Sequence, residues 1–329
     1  MPDTANRFIG NVRGARAARM LLTRRFQAHL VSGVTILLDL MRTWMTALAA
    51  LAIGSGVALV AAGGGSPTQR QDASAVSSLV AAAAAYVKEY QRELTSVVAD
   101  ETYTQHVVAQ VPRDGQRPLE TTLTSEIFFM FTAGHDWMAI RDVRAVNGEA
   151  LEDRPDLRQA LQQLPAPEVA GRFKTYNSRF NVGRITRNFN EPTLSLLVLD
   201  DRHRARFAFE RTRERRSPDG SEVTLKFTER RGPTLIRNLD GRNAFAAGEV
   251  TVEPGTGRVI NAILAVTINS VRATLSTRYA FEERLGIMVP ARFGEHYEDG
   301  VSPSSRYEEI RCEATYTNFK RFEVTSRIR

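Results

Sequence analysis

The chain has one cysteine, two tryptophans and five histidines among 329 residues. A lone cysteine, Cys312, rules out an internal disulfide framework. It does not follow the apolar leader, so lipid attachment at an N-terminal cysteine is also excluded. Beyond the leader the histidines are His106, His135, His203 and His296. No two are four apart and HExxH is missing, so no metal motif is present. GxSxG is absent beyond residue 62, and no P-loop or dinucleotide fingerprint occurs, so no cofactor is implied. His135-Asp136 and His296-x-Glu298 read as solvated polar residues at strand ends. Asp200, Asp201 and His203 read as a turn between elements, with acid–base chemistry as the alternative.

Charge of one sign is scarce once the leader is set aside. Residues 1–62 carry seven Arg and two Asp, which accounts for +5 of the formal +7. The remainder is nearly balanced, so the high pI does not imply a nucleic-acid partner. Locally, DDRHRARFAFERTRERR is rich in Arg. It reads as a solvated strand face with compensating acids, or else as a patch for anionic groups.

Long apolar runs are limited to one, residues 43–62 (TWMTALAALAIGSGVALVAA), which contains no charge. Arg42 precedes it and a Gly-rich polar stretch follows. This is the pattern of a secretory signal, or of an uncleaved membrane anchor. The product is therefore expected to be periplasmic or secreted, or anchored in the inner membrane facing the periplasm. Residues 1–40 form a basic extension too long for an ordinary signal lead, and translation is expected to start at Met41 or Met45. Residues 63–73 read as a linker and 74–329 as one domain, with a helical insertion at about 153–200.

The domain opens with helical periodicity from Ser74 to about Ala99. Val76, Val80, Ala83, Val87, Tyr90, Leu94 and Val97 recur at three and four residues. Asp72 or Ser74 is placed to cap it. Strand patterns follow. In VRATLSTRYAFE, Val271, Ala273, Leu275, Thr277, Tyr279 and Phe281 share one face, and charged or small polar residues occupy the other. Phe129 and Phe131 close another such run. RYEEIRCEATYTNF directs Ile310, Cys312, Ala314 and Tyr316 inward. Asn147-Gly148 is a two-residue hairpin signal. Pro290 is expected at the start of its strand or on an edge. In the middle, Asp153 and Pro155 announce a short helix to about Leu164. A second helix runs from Pro167 to about Asn181, stopped by Gly183. PTLSLLVLD opens on Pro192 and reads as helix or buried strand.

The sum is an α+β domain. Roughly ten long antiparallel strands form a strongly curved, half-barrel-like sheet, and the N-terminal helix and the middle helical segment cover its concave face. The stretches YVKEYQRELTSVVADETYTQ, GEVTVEPGTGRV and FGEHYEDG…SRYEEIRCEATYTNFKRFEV resemble uncharacterised secreted proteins of soil bacteria, over residues 75–324. The order of helix and curved sheet also resembles the lipoprotein-localisation-factor half-barrel. That likeness implies an apolar cavity that binds acyl chains.

On this reading the chain is a non-enzymatic binding module for a lipid, acyl chain or other apolar ligand. Its expected ligand-binding residues are Phe129, Phe131, Leu275, Tyr279, Phe281, Ile310 and Tyr316. Membrane contact is expected only through an uncleaved N-terminal segment, and no oligomeric state follows from the sequence. The alternatives are an envelope interaction protein with a filled core, and an enzyme in which scattered His, Asp and Glu converge.

Overall fold

Among the described residues, eleven antiparallel strands form one open, curled sheet. The computed structural model describes residues 67–110, 120–131, 137–187, 191–217, 220–238, 240–300 and 307–322. The leader and the His135-Asp136 pair lie outside the described residues. No described helix is long and apolar enough to cross a membrane.

Helix α1 spans Pro67–Leu94. It therefore begins inside the expected linker, and Asp72 and Ser74 lie within it rather than at its cap. It also ends earlier than the periodicity suggested. Ser96 takes a left-handed φ of 65°, and Val97 already belongs to β1 (Val97–Gln110). Val97 has the apolar character that the helical stripe required, so a period-based reading ran through the turn. The strands β2 (Glu120–Phe131), β3 (Trp137–Val146) and β4 (Glu149–Ala150) then run outward as a meander. Asn147 and Gly148 make the β3–β4 turn with φ of 51° and 83°, as the Asn-Gly signal requires.

The middle segment contains α2 (Leu157–Gln163) and α3 (Ala166–Asn177). Asp156 caps α2 by accepting from the Gln159 amide at 2.9 Å, so Pro155 lies just before the helix rather than in its first turn. A 3₁₀ turn (Ser178–Phe180) extends α3, and the apolar PTLSLLVLD run folds as a 3₁₀ helix over Leu194–Leu199. The remaining strands are β5 (Phe207–Ser217), β6 (Gly220–Glu229), the small pair β7 (Ile236–Arg237) and β8 (Asn243–Ala244), β9 (Ala247–Val252), β10 (Val259–Ile268), β11 (Val271–Glu282), β12 (Ile287–Asp299) and β13 (Glu308–Arg321).

The order across the sheet is β4-β3-β2-β1-β13-β12-β11-β10-β9-β6-β5. The first strand thus pairs with the last, and both lie in the middle. Pro290 is consequently on an internal strand, β12. It is tolerated because it faces Tyr279 at a register shift that interrupts the β11–β12 ladder.

Alternation assigns the two faces. Val97, Ala99, Tyr103 and Val107 of β1 point into the main core with Leu123, Ile127 and Phe129 of β2. The α1 stripe (Val80, Ala83, Val87, Tyr90, Leu94) covers this inner face, as does Leu196–Leu199. The opposite face has a smaller core in which Val98, Phe128 and Ile140 meet Leu157, Val169 and Phe173 of α2 and α3. The middle segment therefore divides. Its last part covers the inner face as expected, while α2 and α3 cover the outer face of β1–β3. Strands there are apolar on both sides: β2 buries Phe128 as well as Ile127 and Phe129. A one-sided alternation could not reveal that.

Candidate functional site

One cross-strand row of the inner face changes character along its length. It reads Gln105, Cys312, Glu295, Leu275, Leu264, Gly248, Phe227 and Phe209 from β1 to β5. The β1–β13–β12 part is polar and the β11–β5 part is apolar. Gly248 has a steric reason: a Cβ there would lie 1.9 Å from the Ile263 carbonyl oxygen and 2.7 Å from the Phe227 ring.

The polar part is a buried cluster. Arg141 of β3 donates to both oxygens of Glu101 of β1, with Nη2 to Oε1 at 2.7 Å. Its guanidinium also lies 4.7 Å above the Tyr103 ring. Burial alone would lower the Arg141 pKa, but the Glu101 charge and its hydrogen bond outweigh burial and raise it. Arg187 donates to Gln105 and, at 3.0 Å, to the Val182 carbonyl. Gln105 donates to the Phe180 carbonyl at 2.9 Å. The Tyr297 hydroxyl donates to Glu295, whose carboxyl is pushed up by burial despite that bond. Burial also pushes the Cys312 thiol up to about 12, so Cys312 is an inert core residue here.

Most of these polar groups hold a chain segment in place. Residues 178–187 cross the cluster, and Glu308 accepts from the Arg184 and Ile185 amides at 2.8–3.0 Å. Further along, Thr277 and Tyr279 both donate to the Pro192 carbonyl, at 2.6 and 3.0 Å. Asp200 accepts from Gln91 of α1 at 2.7 Å and from the Arg202 amide at 2.9 Å. The Asp200, Asp201 and His203 group is therefore a turn, bolted to α1 through Asp200. Burial would raise the Asp200 pKa, but bonds from Arg202 and Gln91 outweigh it and bring it to about 2.

The apolar part ends in an open groove of about 320 Å³ lined by Ala73, Val76, Ser77, Val80 and Ala81 of α1, by Phe209 of β5 and by Arg204. Its floor continues into an aromatic group in which Phe207 and Phe209 lie 5.7 and 6.5 Å from Phe227. Arg204 pairs with the exposed Asp201 at 3.0 Å.

The expected ligand residues divide accordingly. Phe129, Leu275, Tyr279, Ile310 and Tyr316 share the inner face, but none exposes more than 5 % of its surface. Side chains that water cannot touch line no water-sized void, so here they are packed core beneath α1 and the 3₁₀ helix. Phe131 is partly buried at the core margin. Phe281 departs from the expectation: it is 51 % exposed, with the Arg258 guanidinium 5.6 Å from its ring. Inward alternation in β11 runs on past the register shift to the buried Tyr279, and Phe281 lies one step further, at the end of the strand. His296 bonds Glu309 across to β13 at 2.9 Å instead of joining Glu298. Among the described residues no group of His, Cys, Asp and Glu is arranged to hold a metal.

Sequence reasoning missed Glu101, Gln105, Arg141, Arg187 and Glu295. A signal did exist for two of them. Glu101 and Gln105 share parity with Tyr103 and Val107 in β1, so the alternation that buries the tyrosine buries them too.

No protein-family model matches the chain, and no curated protein matches it. Among solved structures it is similar to a domain described as an outer membrane lipoprotein-sorting protein from Vibrio parahaemolyticus. That likeness has 6 % identity, 74 % of this chain and 93 % of that one covered, and a TM-score of 0.37. It is also similar to a DUF1329 family protein from Desulfovibrio piger, with 12 % identity, 76 % and 94 % covered, and a TM-score of 0.36. A lipovitellin structure concerned with lipid–protein interactions matches at 10 % identity, 71 % and 26 % covered, and a TM-score of 0.25. These are likenesses of chain path, and the α+β class of the chain rests on its own strand order.

Proposed function

We propose that the chain is an exported, non-enzymatic binding module that seats an apolar ligand, an acyl chain or lipid, in the groove between α1 and β5. The observation that carries this reading is the groove itself. Its volume of about 320 Å³ is within the range of small-molecule sites, roughly 300–1,000 Å³. Val76, Val80 and Phe209 offer apolar contact, and Arg204 stands at the rim for an anionic head. Burial would supply about 25 cal/mol per Å², or ~0.8 kcal/mol per CH₂. In this reading the packed inner face, including Leu275, Tyr279 and Ile310, is the floor on which α1 rests rather than the wall of a cavity. The uncharged segment 43–62 supports export.

Native mass spectrometry with lipid extraction, together with a fluorescent fatty-acid probe, tests the proposal. Val76→Trp narrows the groove and is expected to weaken probe binding, with circular dichroism to check that the fold is kept. A protein that carries no ligand and ignores the probe overturns the reading, as does probe binding that Val76→Trp leaves intact.

A second reading is an envelope interaction protein with a filled core. The near-complete burial of Phe129, Leu275 and Ile310 favours it. It predicts no bound lipid, and a partner footprint on the sheet's edge or outer face in hydrogen exchange.

A further inference from the structure

The two edges of the sheet are finished differently. Beyond β4, the outer edge of β3 lies against α3, where Asn177 Nδ2 donates to the Arg141 carbonyl at 2.7 Å. At the other end β5 is hydrogen-bonded to β6 alone. It is eleven residues long and contains no proline. Among the described residues no further strand bonds to its outward backbone groups, of which the Phe207 amide donates to the Arg204 carbonyl. An open edge of that length is a template for another strand.

Its charges are sorted by a bulge. The register shifts between Arg211 and Arg213. Arg211 and Glu214 lie opposite Leu225 and Val223, on the inner face, and Arg216 follows opposite Ser221. Glu214 pairs with both Arg211 and Arg216, so on that face both arginines already hold a carboxylate. Arg213 and Arg215 lie opposite Thr224 and Glu222, on the outer face. Both are exposed, and neither forms an ion pair among the described residues. Two residues apart on a strand, they are separated by roughly 6.5 Å.

We propose that the outward edge of β5 accepts an acidic, extended peptide segment as a twelfth strand. Backbone bonds would supply affinity, and carboxylates at alternate positions of the peptide would meet Arg213 and Arg215. A second copy of the chain does not fit this edge. Two-fold antiparallel pairing centred on residue 212, 213 or 214 sets an arginine opposite an arginine, which is unfavourable. An anionic membrane offers no backbone partner to the edge. The proposal is independent of the ligand groove.

The test uses the full chain and short labelled peptides of alternating Val and Thr with two Glu at i and i+2, their Lys counterparts, and vesicles rich in phosphatidylglycerol. The Glu peptide is expected to bind, to weaken as salt rises, and to protect residues 207–217 in hydrogen exchange. Arg213→Glu with Arg215→Glu is expected to weaken the Glu peptide at least tenfold and to admit the Lys peptide. Arg213→Gln with Arg215→Gln is expected to weaken the first without admitting the second. No binding of the Glu peptide, equal binding by both double variants and the parent chain, protection elsewhere, or binding to vesicles alone would each overturn the proposal.

Discussion

The two ends of the inner face solve the same problem by different means. At the β1–β3 end the sheet is packed on both sides, and charged groups are taken out of water. Arg141 holds Glu101, Arg187 holds Gln105, and Glu308 holds the passing backbone at Arg184 and Ile185. At the β5–β6 end the same face is aromatic and aliphatic, with a groove beside α1 and an open edge. The polar end specifies where the middle segment lies, because each bond there has one geometry and leaving it unmade is costly. The apolar end needs only shape and area, and it leaves room at its margin. Binding is therefore to be sought at the apolar end, and fold specificity at the polar end.

The largest test of that contrast is Arg141→Met. It strands Glu101 in the interior and is expected to lower unfolding free energy by about 3–5 kcal/mol, as measured by denaturant titration. Combining it with Glu101→Gln is expected to recover part of the loss, because no uncompensated charge then remains buried. Glu308→Gln comes next. It weakens the carboxylate's bonds to two amides and is expected to cost about 1.5–3 kcal/mol. Hydrogen exchange would show the effect concentrated at residues 184 and 185, and uniform loss of protection would instead make Glu308 a global core element.

A smaller effect is expected at Asp200. Its folded pKa of about 2 lies below the ordinary 3.8, so its contribution is complete above about pH 4 and fades as pH falls through 2. After solvent screening this amounts to about 1 kcal/mol. Asp200→Asn should remove that share of the acid sensitivity while the rest of the pH profile keeps its form. The smallest effect belongs to Phe281→Ala, expected within about 0.5 kcal/mol because the ring is exposed. A loss as large as that of a buried leucine would restore Phe281 to the core.

Much of this architecture could be read from alternation. In β11 the inward set Ala273, Leu275, Thr277 and Tyr279 is buried as its parity required, and in β13 so are Ile310, Cys312, Ala314 and Tyr316. Phe281 failed because it has the inward parity but is the next-to-last residue of β11, and parity does not mark where the cover over a sheet stops. The C-terminal end of α1 failed because apolar residues continue across Thr95 and Ser96 into β1, so hydrophobic period did not mark the change of conformation. The placement of α2 and α3 on the outer face was illegible for a related reason. It depends on Phe128 and Ile140 being buried on strands whose other face is buried as well. The groove was hidden too: Val76 and Phe209 are ordinary apolar residues of elements far apart in the chain.

By itself the sequence determined the inward parity of β11 and β13, the Asn147-Gly148 turn and the apolar α1 stripe, since each follows from side-chain period and local backbone preference. The tertiary structure alone decided which strands became neighbours, that the first would pair with the last, and that Glu101, Arg141, Gln105 and Arg187 would be buried together. Those outcomes depend on long-range pairing, in which a polar residue becomes an interior one only when another segment arrives to satisfy it.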